Sequence, residues 1–218
     1  MRVVHRPVST SLQGTFILLL SSALMRLRSL LLLGVVAVPL AAQSKSAPSA
    51  APTPGFNWVL EGGIAFGGDK VVEITFTDGS DQTLTAGQGG HIAFGGQYRL
   101  PSAPRLAIAA TAGIKFVTNA SENASIGITR IPVEVMGRWQ LQQDWWAGAG
   151  VVNHAAVKVK GDGFFPDETL DASLGTKLEL GWRWLSMSYT AMEYTATSGE
   201  TFGAGAIALN ARWVIPRR

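Results

Sequence analysis

From Phe56 to Ile215 apolar and polar residues alternate with a period of two, and no window in that stretch sustains apolar residues at helical spacing. Successive side chains of an extended strand point to opposite faces, so this pattern predicts an all-β domain. In Phe56–Phe66 the residues Phe56, Trp58, Leu60, Ile64 and Phe66 share one face, with Asn57 and Glu61 on the other. Gly90–Leu100 sets Ile92, Phe94 and Tyr98 against His91, Gln97 and Arg99; Arg105–Val117 sets Leu106, Ile108, Ile114 and Phe116 against Thr111 and Lys115. Ile131–Leu141 opposes Val133, Val135 and Trp139 to Glu134 and Arg138, and Leu174–Trp184 opposes Leu178, Leu180 and Trp182 to Lys177, Glu179 and Arg183. Leu185–Tyr194 and Phe202–Ile215 alternate likewise, the latter with Ile207, Leu209 and Trp213 opposite Asn210 and Arg212. Trp145–Val159, rich in Ala, Gly and Val, reads as a further strand whose faces are less distinct, which makes eight in all.

The connections carry a second signal. Gly67–Gly89, Thr118–Ser125, Lys160–Ser173 and Ala196–Thr201 are long or polar, whereas Pro101–Pro104 and Gln142–Asp144 are tight. Long and short in alternation describe a meander whose two ends face different surroundings. Within the first long connection, Val71–Thr85 alternates around Asp78-Gly79 and predicts a hairpin standing upright beyond the rim. One join lacks turn chemistry, since Arg183–Ser186 contains no Gly, Pro, Asn or Asp.

Eight strands close into a barrel whose interior is filled by side chains or holds one small ligand. Apolar residues pointing inward describe a soluble, lipocalin-like carrier; pointing outward, they describe a barrel in lipid. Two features favour the outward arrangement. The opposite face carries Glu61, Arg99, Lys115, Glu134, Arg138, Glu179 and Arg183, together with Lys177 and Arg212. These mixed charges can pair in a lumen, where a single buried charge would cost several kcal/mol. Second, Trp58, Trp139, Trp145, Trp146, Trp182, Trp184 and Trp213 all fall near the short-turn ends, as expected of an interfacial aromatic girdle. Phe66, Phe116, Tyr194 and Phe202 sit where a second, weaker girdle would lie. The competing reading makes these Trp ordinary core residues beside turns.

Upstream of the domain, MRLRSLLLLGVVAVPLAAQS from Met25 has the basic start, apolar run and small residues of a secretory signal. Residues 1–42 are therefore read as a leader with a signal peptide, with translation expected to start at Met25. Residues 43–55 form a flexible Ser-, Ala- and Pro-rich linker, and the barrel domain occupies 56–218. A single membrane helix joining Phe16–Leu24 to Leu30–Val38 is disfavoured by Arg26 and Arg28 between them.

Charge looks different once it is located. The chain carries 18 Lys+Arg and 15 Asp+Glu, net +3, with a pI of 9.4, a weak hint of an acidic partner such as nucleic acid. Residues 1–42 hold Arg2, Arg6, Arg26 and Arg28 and no acid, so removing these four leaves 14 basic against 15 acidic groups. The domain itself is not basic, and nucleic acid is not expected as a partner. The absence of Cys excludes disulfides and thiolate chemistry.

The segment RIPVEVMGRWQLQQDWWAGAGVVNHAAVKVKGDG (Arg130–Gly163) is a strand, a tight turn and a Gly-alternating strand that opens into a polar loop. It resembles the small outer-membrane β-barrel proteins of Gram-negative bacteria, of the OmpA/OmpX type. The resemblance covers roughly Phe56 to Ile215 and implies an eight-stranded antiparallel up-and-down transmembrane barrel. It further implies insertion by the barrel assembly machinery, with both termini in the periplasm and long loops outside. One departure is the end of the chain, where Trp213 is followed by Val-Ile-Pro-Arg-Arg rather than closing on a terminal aromatic.

Candidate chemistry is sparse. An outer-membrane lipid A- or phospholipid-modifying enzyme needs an activated Ser beside a His. His5 belongs to the leader, His154 has no Ser within five residues, and His91 has no adjacent nucleophile. Asp162, Asp167, Glu168 and Asp171 do not match an EF-hand loop and read as a solvated acidic loop, with ion-bridged contact to lipopolysaccharide as the alternative. Asn119-Ala-Ser121 and Asn123-Ala-Ser125 read as polar turns, and Gly87–Gly90 and Gly203–Gly205 lack the following helix of a phosphate-binding loop. No catalytic residue, metal or cofactor is expected. The leading reading is a monomeric structural, adhesive or envelope-interaction barrel with a lumen plugged by polar side chains, meeting outer-membrane lipid and lipopolysaccharide. A narrow OmpW-like, porin-like pore and the lipid-modifying enzyme are the alternatives.

Overall fold

The computed structural model describes residues 2–3, 53–75, 81–121, 124–161 and 166–216. The signal sequence, Met25 and most of the linker lie outside them. In chain order the strands are β1 (Arg2–Val3), β2 (Gly55–Phe66), β3 (Lys70–Thr75), β4 (Asp81–Thr85), β5 (Gly89–Arg99), β6 (Leu106–Ser121), β7 (Ala124–Gln140), β8 (Trp145–Lys160), β9 (Glu168–Ala172), β10 (Gly175–Trp182), β11 (Leu185–Ala191), β12 (Glu193–Ala196), β13 (Thr201–Gly203) and β14 (Ala206–Pro216). The strands β2, β5, β6, β7, β8, β10, β11 and β14 pair antiparallel in that order, and β14 returns to β2. This is a closed eight-strand up-and-down barrel, as the alternation predicted.

Its lower half obeys the outward arrangement. Ile92, Phe94, Ile108, Val133, Leu178, Met187 and Leu209 are exposed on the exterior. Glu61, Gln97, Thr111, Arg138, Lys177, Glu179 and Asn210 are buried inside. Water does not tolerate an apolar belt running round a whole barrel, whereas lipid requires one. Closure leaves no sheet edge, so the spanning backbone satisfies its own hydrogen bonds.

The strands are longer than a membrane needs. A spanning β-strand takes about 9–11 residues, but β6 and β8 have 16 and β7 has 17. The surplus rises at the long-connection end, where β8 pairs with β9, β9 with β12 and β12 with β13. Of the segments expected as loops, Thr118–Ser125 is thus mostly strand and Lys160–Ser173 contains β9. In this upper sheet the polarity inverts. Val117, Ile126, Ile128, Val157, Val159, Leu170, Met192 and Tyr194 form a buried apolar core, while Thr118, Thr129, Lys158 and Glu193 are exposed.

Two mechanisms produce the inversion. Along β7 the inward parity never changes; Ile126 and Ile128 simply give way to Arg130, and outward Thr129 gives way to Ile131. Along β8 the backbone slips. Val152 and His154 are buried, then Val157 and Val159, with a register shift opposite Thr129–Ile131 and Ala156 at φ 50°. This β-bulge inserts one residue, so Val157 and Val159 face in and Lys158 and Lys160 face out. It also explains the indistinct faces of Trp145–Val159 in the sequence.

The predicted hairpin forms as β3 and β4, with its turn around Asp78-Gly79 outside the described residues. It does not stand clear of the barrel: Val72, Leu84 and Ala86 belong to the buried upper core. Short β1 pairs with β3, Arg2 opposite Thr75. The hairpin's return passes so close to neighbouring backbone that a Cβ on Gly87 would come within 2.5 Å of the Gly205 carbonyl oxygen. That contact, rather than phosphate binding, accounts for the paired Gly-rich segments.

The join without turn residues is a two-residue hairpin loop, since Trp182 pairs with Leu185. Arg183 takes φ 54°, a conformation that L residues adopt only when surroundings hold them there. The surroundings are specific. The Arg183 N–H donates to the Asp144 carbonyl at 2.7 Å, and its own carbonyl accepts from Trp146 Nε1 at 3.1 Å. The guanidinium lies 4.7 Å over the Trp182 ring, and the Trp184 carbonyl accepts from the Arg212 N–H at 2.7 Å. Tertiary contacts replace the missing glycine.

Candidate functional site

Inside the lower barrel the charges make a chain of alternating sign. Arg212 Nε lies 3.2 Å from Glu61 Oε1, which lies 2.7 Å from Arg138 Nη2. Arg138 Nε is 2.9 Å from Glu179 Oε2, and Glu179 Oε1 is 3.5 Å from Lys177 Nζ. Lys177 Nζ closes the chain on Glu134 Oε2 at 2.7 Å. These groups come from β14, β2, β7 and β10, so the chain ties opposite walls together. Three cations and three carboxylates cancel, which is what makes the burial tolerable. The carboxylates of Glu61, Glu134 and Glu179 converge within 4.8 Å of one another, but Arg138, Lys177 and Arg212 already neutralise them.

Above this chain two more cations, Lys115 and Arg130, form no salt bridge among the described residues. Lys115 Nζ donates to the Gly87 carbonyl at 2.7 Å, and Arg130 Nη1 donates to the Ala86 carbonyl at 2.8 Å, with Nη2 reaching Gln88 O. Both thereby hold the hairpin return inside the barrel. Carbonyl dipoles stand in for a counter-charge. The Arg130 guanidinium also lies 5.8 Å from the Tyr194 ring, and the Tyr194 hydroxyl is hydrogen-bonded to His154 Nδ1. Tyr194 therefore joins the polar lumen below to the apolar core above, and burial pushes its phenol up to about 12.

The residues singled out from sequence do not all fall as expected. Glu61, Lys115, Arg138 and Glu179 are buried in the lumen, and Glu134 reaches it half-buried. Arg99 is half-buried at the lower end and donates to the Pro104 carbonyl at 2.9 Å. Arg183 is outside the network: its side chain is 56% exposed and pairs with Asp144 at 3.4 Å. Lys177 and Arg212, on the same predicted face, are members of it.

Of the girdle residues, Trp58, Trp139, Trp145, Trp182, Trp184 and Trp213 are exposed at the short-turn end. Trp146 is a correction, at 5% exposure inside the barrel. Its ring lies 5.6 Å from the Arg138 guanidinium and 5.3 Å from that of Arg212. The signal that could have found it is Gly181 on the facing strand, where a Cβ would come within 2.1 Å of the indole. At the upper rim Phe66 and Phe116 are exposed, whereas Tyr194 is fully buried and Phe202 packs against the upper core.

His91 and His154 line, with Ser188, a lumen cavity of about 30 Å³. That volume holds one or two waters and no acyl chain. In the third long connection, Asp167 accepts a hydrogen bond from the Gly161 N–H at 3.0 Å, Glu168 and Asp171 are exposed, and Asp162 lies outside the described residues. The larger cavity, about 260 Å³, opens at the short-turn end between Arg99, Arg138, Arg183, Arg212 and Trp146.

An eight-strand meander closed on itself, apolar over its lower exterior and charged within, has the architecture of a transmembrane β-barrel of the outer-membrane type. No protein-family model matches the chain and no curated protein matches it in sequence. Among solved structures it is similar to Ail, the attachment invasion locus protein of Yersinia pestis, determined in complex with the heparin analogue sucrose octasulfate. The TM-score is 0.42 at 8% identity, over 74% of this chain and 100% of that one.

Proposed function

We propose that this protein is a closed, monomeric outer-membrane barrel with a structural or surface-interaction role, rather than a pore or an enzyme. The carrying observation is the obstruction of the lumen at two levels. The six-charge chain crosses the lower half, and the hairpin return with its apolar core fills the upper half. An eight-strand barrel leaves little room beyond its side chains, and these side chains are bonded to one another. In this reading the short turns and both termini face the periplasm, the six exposed Trp sit at that interface, and the upper sheet projects outward. Its exposed Lys158, Lys160, Glu168 and Asp171 meet lipopolysaccharide phosphates directly or through bridging cations. The barrel assembly machinery inserts the chain.

Planar-bilayer recording tests the obstruction. The folded protein should give no discrete conductance steps, and a variant with Arg138 and Glu134 both changed to Ala, which leaves the upper obstruction in place, should give none either. Steps in the unaltered protein that change in this double variant would show a conducting lumen and would replace the closed-barrel reading with the narrow-pore one.

A further inference from the structure

The short-turn end carries a basic vestibule that the closed-lumen reading does not use. Its cavity of about 260 Å³ is lined by Arg99, Arg138, Arg183 and Arg212, and Asp144 is the single acidic residue among the lining groups. Arg183 is matched to Asp144 at 3.4 Å, and Arg212 and Arg138 belong to the neutral six-charge chain. Arg99 is left without a carboxylate among the described residues, its Nη1 bonded only to the Pro104 carbonyl. One uncompensated guanidinium, that of Arg99, thus borders the cavity beside three that are already paired.

Guanidinium groups present planar donor forks that match carboxylate and phosphate oxygens, and a partly enclosed wall strengthens that attraction relative to open water. The volume falls just under the ~300 Å³ at which drug-sized ligand sites begin. It suits a small molecule or the tip of a chain, and a lipid is excluded because its acyl chains belong on the barrel exterior. We infer that this vestibule binds an oxyanion group, a carboxylate or phosphate, seated on the Arg99 guanidinium. The site is open at the short-turn end, whichever compartment that end faces.

Isothermal titration of the folded protein in zwitterionic detergent, with ionic strength held constant by chloride, tests this. Citrate and pyrophosphate probe the free small oxyanion, and long-chain polyphosphate probes the same group on a polymer. Saturable binding of one small oxyanion per barrel is expected. Arg99→Gln should weaken it at least tenfold, and Asn57→Asp, which adds a negative charge to the cavity wall, should do so too. Both variants should keep the heat-modified gel mobility of a folded barrel; where one does not, the other carries the test. Binding of polyphosphate alone, still sensitive to both changes, assigns the site to a polymer-borne group. Absence of saturable binding by all three probes, or binding equally strong in the folded variants, overturns the inference. Conductance is unaffected by either result, so failure here stays distinct from failure of the closed-barrel reading.

Discussion

The lower and upper halves of this barrel are built from the same strands and solve opposite solvation problems. Below Arg130 the inward face holds Glu134, Arg138, Lys177 and Glu179, and the outward face holds Ile131, Val133, Val135 and Leu178. Above it the inward face holds Ile126, Ile128, Val157 and Val159, and the outward face holds Thr129 and Lys158. Apolar surface goes wherever water is absent, which is outside in lipid and inside in solution. The height at which the pattern inverts therefore marks the upper edge of the membrane belt, and it is written into β7 as the step from Ile128 to Arg130. The lower half is specified by pairing of buried charge and the upper half by ordinary packing.

The bulge in β8 is where the comparison can be broken most severely. Changing Val157 and Val159, which the bulge turns inward, both to Lys puts two cations into the upper core. Each unpaired lysine buried in an apolar core costs several kcal/mol, more than the upper sheet can absorb. The upper sheet should unfold while the lower barrel stays closed. Hydrogen exchange should report this as lost amide protection in β9 and β12 with protection retained in β5 and β10. Undiminished protection in β9 and β12 would mean that the bulge does not turn these two positions into the core.

A gentler comparison uses one strand and one face. Ala112 and Thr118 both point outward on β6, the first within the apolar belt and the second above exposed Phe116. Ala112→Arg should cost about 2–4 kcal/mol in urea unfolding from lipid vesicles, the penalty for a cation near the bilayer midplane. Thr118→Arg should cost about 0–1 kcal/mol. Equal costs at the two positions would place both in the same solvent and remove the boundary.

Much of the lower half was legible because its alternation is regular and its charges come in both signs. The upper half was not. Thr118–Ser125 and Lys160–Ser173 are polar enough to resemble loops, and a bulge is invisible to a test for period two. The available clue was Ile126 and Ile128 sharing a face with Arg130, a run that cannot suit a single solvent. Trp146 was misplaced because proximity to a turn says nothing of side-chain direction, whereas its parity with Gly148 and its pairing opposite Gly181 do. Arg183 was misplaced for a related reason. Strand parity stops at the last paired residue, Trp182, and Arg183 already belongs to the loop.

Tyr194 lies on the seam between the halves, with its ring in the upper core and its hydroxyl on His154. Its phenol is raised from 10.0 to about 12 by burial. The folded state therefore holds the proton more tightly than the unfolded chain. Its contribution to stability is fully present below pH 10 and is lost as the pH rises from 10 towards 12. The loss reaches roughly 2–3 kcal/mol, and only at the top of that window. Unfolding measured from pH 9 to pH 12 should show this decline in the unaltered protein and a shallower one in Tyr194→Phe, because phenylalanine keeps the ring in the core and has no proton to lose. The two slopes coinciding would mean that the phenol is already reached by water, and that the seam between the halves is wetter than a shared buried tyrosine requires.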